Sequence, residues 1–401
     1  MISDEAQLTE SELASLRSAI ESRLPDFKSD LQHLVNIDCG TYTKAGVDEV
    51  GAWVADRLRQ LGAEVSARPH GELGDTVVGV LRGSGSLDAL MVGHMDTVFD
   101  DGTVAARPYT ERDGRAYGPG VDDMKGGLLA GLYAISALRT NGGLPFRTLT
   151  FVANPDEEIG SPSSLPVIRE FAQTADLAIV LESARENGDI VSARKGIAEF
   201  VMTITGRAAH AGVEPEKGRS AILEASHKIQ ALHALNGRWP GVTVNVGVMH
   251  GGMRPNIVAE TTSLEIDVRA VTRDDMQAVE AAINEIAASA TIADVTATVR
   301  STAWWWPMEK TPATATLAGL AIDLADRLGF ALHDTSTGGA SDANTASAAG
   351  APTLDGLGPV GGNAHAPTEY MELDSIVPRT TLLAALLLEV SRRPSMRSDR
   401  A

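Results

Sequence analysis

Apolar residues recur at helical spacing over residues 10–35 (Leu13, Leu16, Ile20, Leu24, Phe27, Leu31, Leu34), with a break near Pro25. The same period returns over 46–62 (Val50, Trp53, Val54, Leu58, Leu61), where Gly62 supplies a stop. The pattern then shortens. Apolar runs at 76–81 and 87–92, split by the turn-forming Gly83-Ser-Gly-Ser86, read as strands. An Ala- and Leu-rich helix over 128–138 precedes a buried strand at 147–153, and a further strand follows at 177–181. Three of these runs end in polar residues: His94 and Asp96, Asp156-Glu-Glu158, and Glu182. Strands alternating with helices, with chemistry gathered at strand C-terminal ends, predict an α/β sheet whose site lies along that edge.

From about Lys195 the pattern changes. Residues 198–205 alternate, 219–235 are helical, 242–249 and 262–269 alternate, 274–288 are helical, and 295–299 alternate again. This βαββαβ order predicts a ferredoxin-like domain. Helical and strand patterns resume at 316–328, 352–354 and 380–390, and 392–401 read as a frayed tail. The simplest organisation is a discontinuous catalytic domain, residues 1–193 and 308–401, carrying an inserted domain, residues 194–307.

Composition narrows the picture. The chain has 401 residues and a net charge of −19, which argues against nucleic acid or an anionic membrane surface as partner. Cys39 is the only cysteine, so an intrachain disulfide and a thiolate zinc cluster are both excluded. The first residues lack the basic and apolar regions of a secretory leader, and no run of about 18 apolar residues appears. A cytoplasmic protein is expected.

His94 and Asp96 stand two positions apart, so on an extended backbone both side chains point to one face. An imidazole beside a carboxylate at the tip of a buried strand is the start of a metal site. Partners are available in Asp122 and Asp123, in Asp156, Glu157 and Glu158, in Glu182, and in His365 of a late Gly-rich loop. Such nitrogen and oxygen ligands suit zinc. Singly, each cluster has a plainer reading: a solvated acidic turn at 156–158, a helix cap at Asp122-Asp123, a surface histidine at 365. Spacing alone does not assemble them.

Together, Gly93-His-Met-Asp96, Gly118-Pro-Gly-Val-Asp-Asp-Met-Lys-Gly-Gly127, Asp156-Glu-Glu-Ile-Gly-Ser161, Glu182 and His365 resemble the aminoacylase and glutamate-carboxypeptidase family of di-zinc amidohydrolases. Within it the chain looks most like the carboxypeptidase G type. The resemblance implies a mixed-sheet zinc-peptidase catalytic domain with an inserted ferredoxin-like lid and dimerisation domain. It implies two zinc ions, with cobalt or manganese able to occupy the same site. Asp123 would bridge them, His94 and Glu182 would complete one metal, and Glu158 and His365 the other. Glu157 would be the general base, and Asp96 would hydrogen-bond His94; Asp122 would not be a ligand. In the inserted domain, His210 would reach across a dimer interface to stabilise the tetrahedral oxyanion. Asn256 would orient substrate, Arg269 would hold its carboxylate, and backbone N–H groups at Gly338 and Gly339 would support the same carboxylate. On its own residues, Arg269 serves equally as an ion pair with Asp267, and His210 as a surface or capping histidine.

One departure stands at Trp304-Trp-Trp306. Three consecutive indoles cannot all face one core, so they either pack the domain junction or put an aromatic wall beside a bulky acyl group. The expected reaction is hydrolysis of an amide bond next to a free carboxylate. It releases a C-terminal amino acid, glutamate among the candidates, from a small N-acyl amino acid or short peptide. The expected assembly is a homodimer through the inserted domain. The alternatives are an N-acyl-amino-acid deacylase or dipeptidase of the same family, and a non-catalytic metal- or amino-acid-binding protein on the same scaffold. The last should have lost a ligand or the base, and every expected position is filled.

Overall fold

The apolar run ending at His94 forms strand Asp88–His94 inside a six-stranded mixed sheet in the computed structural model, which describes residues 7–393. Thr148–Asn154 and Leu177–Val180 flank it, both parallel, and Thr353–Leu354 extends the parallel part. Thr76–Arg82 and Glu64–Arg68 add antiparallel strands at the other edge. A strand with neighbours on both sides and both faces covered carries no polar alternation, which is why residues 89–92 are apolar throughout. Glu64–Arg68, at the edge and mostly exposed, gave no apolar period to read. The short strands Thr110–Arg112, Arg115–Tyr117, Gly361–Gly362 and Tyr370–Glu372 form a small antiparallel sheet, and each is too brief for any periodicity to register.

The helical run at 10–35 is two helices, Glu10–Glu21 and Leu24–Val35. Thr9 and Glu12 form a capping box at the first, and Pro25 sits in the first turn of the second, where its missing N–H costs nothing. Helix Gly126–Thr140 is buried over nearly its whole length. A Cβ on Gly127 would lie 1.8 Å from the Leu181 carbonyl oxygen, and one on Gly93 would lie 2.9 Å from Leu128 Cδ2. These two glycines let the helix start directly against the strand ends, and that contact brings the loop before it onto the sheet edge. Cys39 is buried, and burial pushes its thiol up.

The chain forms two compact units. One holds residues up to Ser192, Lys310–Ser336 and the chain from Ser341 on; the other holds Ala193–Glu309 and Thr337–Ala340. In the second unit, strands Gly196–Thr205, Thr243–Gly251, Thr261–Ala270 and Thr296–Trp305 pair antiparallel with Thr243–Gly251 and Thr296–Trp305 at the edges. Helices Ala221–His233 and Arg273–Ala288 start at Ser220 and Thr272, whose hydroxyls accept the backbone N–H of Leu223 and Asp275. The helices bury Ala225, Leu232, Val279 and Ile283 with Phe200, Met202, Leu264 and Ile266 of the sheet. Chain order and strand order are those of the split βαβ motif.

The expected tail is tied down where it is described: Arg392 pairs with Glu12, and Arg393 with Glu389 at 2.7 Å. Residues 394–401 lie outside the described residues, as do residues 1–6. Among the described residues no helix is long and apolar enough to cross a membrane.

The glycine argument predicts opposite signs for one substitution at two places. Gly127→Ala should lower stability by about 1–3 kcal/mol through overpacking against Leu181. Gly319→Ala, inside helix Pro312–Leu328 with nothing within 4 Å of the added Cβ, should raise it by about 0.4–1 kcal/mol. Urea unfolding of the two variants checks both; a shift of the same sign in each would refute the packing argument.

Candidate metal centre

Five chain segments meet at the C-terminal edge of the mixed sheet. His94 is the last residue of its strand, and its ring is fully buried. Asp123 lies in the turn before helix Gly126–Thr140, beside a cis peptide bond to Met124. Glu157 and Glu158 begin a single helical turn just past strand Thr148–Asn154, and Glu182 follows strand Leu177–Val180. His365 comes from the loop between Gly361–Gly362 and Tyr370–Glu372, with φ +64, a conformation uncommon outside glycine.

Asp123 stands between the two imidazoles. Its Oδ1 is 2.9 Å from His94 Nε2, and its Oδ2 is 3.2 Å from His365 Nε2. His365 Nε2 is also 3.1 Å from Glu158 Oε2, and His94 Nε2 is 3.7 Å from Glu182 Oε1. Two groups offer ligand atoms within 4.8 Å of one another: His94, Glu157 and Glu182, and His94, Asp123 and Glu158.

Asp96 works from beneath. Its carboxylate accepts the Thr41 hydroxyl at 2.6 Å and the backbone N–H groups of Glu157 and Glu158 at 3.2 and 3.3 Å. His94 Nδ1 is 3.0 Å from the Asp96 carbonyl oxygen and 3.4 Å from its carboxylate. Both neighbours are acceptors, so Nδ1 carries the proton and Nε2 is turned toward Asp123. The main-chain oxygen is the nearer of the two.

The charge balance is lopsided. Asp96, Asp123, Glu157, Glu158 and Glu182 surround two imidazoles. Burial opposes protonation of His94, yet hydrogen bonds with Asp123 and Asp96 and the charge of Glu182 hold its pKa well above the usual imidazole range. Hydrogen bonds to Asp123 and Glu158 push His365 up to about 10. Burial pushes Asp123 up, but the hydrogen bonds from His365 and His94 outweigh it and hold the carboxyl well below its usual range. Glu157 and Glu158 are both raised, chiefly by burial. Glu158 Oε1 is buried with no hydrogen-bond partner. An orphaned carboxylate oxygen among convergent nitrogen and oxygen donors fits a divalent cation, which would displace the imidazole protons and satisfy that oxygen.

Three contributors were not identified from the sequence pattern. Thr41 supports Asp96. Glu369, four residues after His365, accepts backbone N–H groups from the Asp123 turn, and burial pushes it up to about 7. Arg379 is buried and donates to the carbonyls of Gly358, Gly188 and Gly356, while Gly358 N–H donates to the Glu182 carbonyl. An acidic residue in the loop that bears His365 was the one legible hint of the three. Asp122 is buried with its carboxylate against Gly361.

The remaining expected residues lie in the second unit. His210 and Asn256 come together: His210 bridges to Ile257, and the Asn256 carbonyl accepts Ala211 N–H at 3.0 Å. Arg269 grips Asp267 with both arms of its fork, at 3.0 and 2.9 Å. Gly338 and Gly339 sit on an exposed bend, and the Gly339 carbonyl accepts from Arg194 at 3.0 Å. The tryptophans divide. Trp304 shares the helix-covered face with Ala198 and meets Phe200 edge-on, and Trp306 lies 5.1 Å from Trp304. Trp305 pairs with Ile197 on the opposite, open face.

Residues 90–389 match the family model described as peptidase family M20/M25/M40. Carboxypeptidase G2 of Pseudomonas sp. (strain RS-16) is 30% identical over 94% of this chain and 92% of its own length. Among solved structures, aminopeptidase PepT from Bacillus cereus ATCC 10987 superposes with a TM-score of 0.76 at 25% identity, over 92% of this chain and 98% of that one. An M20 family metallo-carboxypeptidase from Sulfolobus solfataricus shares the fold, with a TM-score of 0.70 at 16% identity over 91% of this chain and 99% of that one. The chain is a hydrolase of peptide or amide bonds, and it belongs to peptidase family M20/M25/M40.

Proposed function

We propose that this chain is a di-metal hydrolase that releases a C-terminal amino acid from an N-acyl or peptidyl group. His94, Asp123, Glu158, Glu182 and His365 would hold two divalent cations, with zinc favoured by the ligand set. The observation that carries this reading is the Asp123 carboxylate, whose two oxygens are taken by two different imidazoles. When bound, the cation pair supplies Lewis-acid polarisation of a carbonyl and lowers the pKa of water. Glu157 takes the proton from the attacking water and returns it to the leaving amine nitrogen. Burial and the neighbouring Glu182 raise its carboxyl, the direction needed by a base that must next act as an acid. Asp96 holds Glu157 in place through its backbone N–H.

Support for a carboxylate-bearing substrate comes from the relative named a carboxypeptidase and from one cross-strand row in the second unit. Arg269, Ile197 and Trp305 are direct partners there and share the open face of the sheet. A guanidinium fork suits a carboxylate, and an indole suits an aromatic acyl group. The likeness to an aminopeptidase at 25% identity favours short peptides as a second substrate reading. His210 and Asn256 would serve the oxyanion and the substrate from a partner copy. The edge strand Thr243–Gly251, with Val248 and Met249 exposed, would support a homodimer through this unit. Sedimentation equilibrium should give twice the chain mass; a monomer at micromolar concentration would remove this part.

Two further outcomes test the reading. Glu157→Ala should keep its zinc while turnover falls about 10²–10⁴-fold. Metal analysis beside an assay on N-acyl-glutamates, N-acetyl amino acids and dipeptides reads both, and parallel loss of metal would make Glu157 a ligand instead. Trp305→Ala should raise KM for aromatic N-acyl amino acids about 3–10-fold, from the loss of ring stacking, and spare N-acetyl substrates. An unchanged KM would remove the aromatic wall.

A further inference from the structure

The turn that carries Asp123 and the loop that carries His365 are joined by a side chain that the reaction itself does not use. Glu369 is 1% exposed. Its Oε1 accepts the backbone N–H groups of Asp122 and Asp123 at 2.8 and 3.1 Å, and its Oε2 accepts that of Gly120 at 3.1 Å. Burying a carboxylate is costly unless hydrogen bonds replace its water, and here three main-chain donors from one turn do so. The same residue closes the His365 loop. Its N–H donates to the Ala366 carbonyl at 3.1 Å, and Ala366 N–H donates to Asn363 at 3.0 Å. Asn363 and His365 both have positive φ, which makes this a tight turn. One carboxylate thus ties the main chain of Asp123 to the turn that presents His365, and the two side chains face each other at 3.2 Å.

We propose that Glu369 is a positioning residue of the metal centre: it sets the main chain of Asp123 against the His365 loop so that the two side chains address the same ion. The proposal rests on the metal reading above. Ligands must be held within about half an ångström of working geometry by the groups behind them, and outer groups of this kind are worth about 10–100-fold in metal affinity. Glutamate suits the task because the turn offers three donors to two oxygens. Glutamine keeps the shape but sets an NH2 group against one of those N–H donors.

The test compares wild type, Glu369→Gln and Glu369→Asp. Zinc affinity is read by competition with a chromophoric chelator, and thermal unfolding is read on the metal-stripped proteins. Glu369→Gln should bind zinc about 10–100-fold more weakly, while its metal-stripped form melts within about 4 °C of wild type. Glu369→Asp keeps both oxygens at shorter reach and should fall between; it carries the test if the glutamine variant does not fold. Zinc affinity within about two-fold of wild type in the folded variants would overturn the proposal. So would a loss of affinity matched by an equal loss of stability without metal, which is the mark of a purely structural group. A wild type that takes up no zinc would overturn the metal reading and this proposal with it. A wild type that binds two zincs beside unaffected variants would overturn this proposal alone.

Discussion

Carboxylates that converge repel one another, and the sheet edge of this protein is built around containing that repulsion. Asp123, Glu157, Glu158 and Glu182 gather near His94, where burial strengthens every charge. The chain holds their main chains with charged side chains aimed at backbone groups: Asp96 at the N–H groups of Glu157 and Glu158, and Arg379 at carbonyls of the loop that supports Glu182. Glu369 does the same for the Asp123 turn. The acidic side chains stay available, and the imidazoles are left holding protons that a cation would displace.

This arrangement depends on the sheet. Parallel strands Asp88–His94, Thr148–Asn154 and Leu177–Val180 end at one edge, so the residues just beyond them leave the ladder together. Their side chains are then free of strand alternation and can turn toward a common point. Helix Gly126–Thr140 reaches that edge only because Gly127 and Gly93 leave no side chain in the way. A helix held one methyl group further off would carry the Asp123 turn away with it.

The second unit obeys a different rule. Each strand has one face packed on two helices and one face open, so adjacent residues go to opposite sides. That rule separates Trp304, set on the Phe200 face, from Trp305, set on the open face beside Ile197 and in register with Arg269. Arg269 itself is held by Asp267, two residues back on the same face. A carboxylate that docks there has to share the fork with an internal partner.

Much was legible in the sequence because it is local. Apolar period identified the main strands and helices, the switch near Lys195 marked where the pattern of the chain changes, and the polar residues at strand ends marked the edge that carries the site. His94, Asp123, Glu158 and His365 could be named from motifs. Their mutual geometry could not, because nothing local says that the two oxygens of Asp123 face different imidazoles, 29 residues back and 242 residues on. Glu64–Arg68 and the four short strands escaped for want of a period to read. Thr41, Glu369 and Arg379 were hidden for a different reason. Their partners are mainly backbone groups or residues far along the chain, and main-chain donors and acceptors have no letter in a sequence. Residue type and order determined which chemistry the chain can carry. Only the tertiary structure decided what holds it in place, because that depends on contacts between segments hundreds of residues apart.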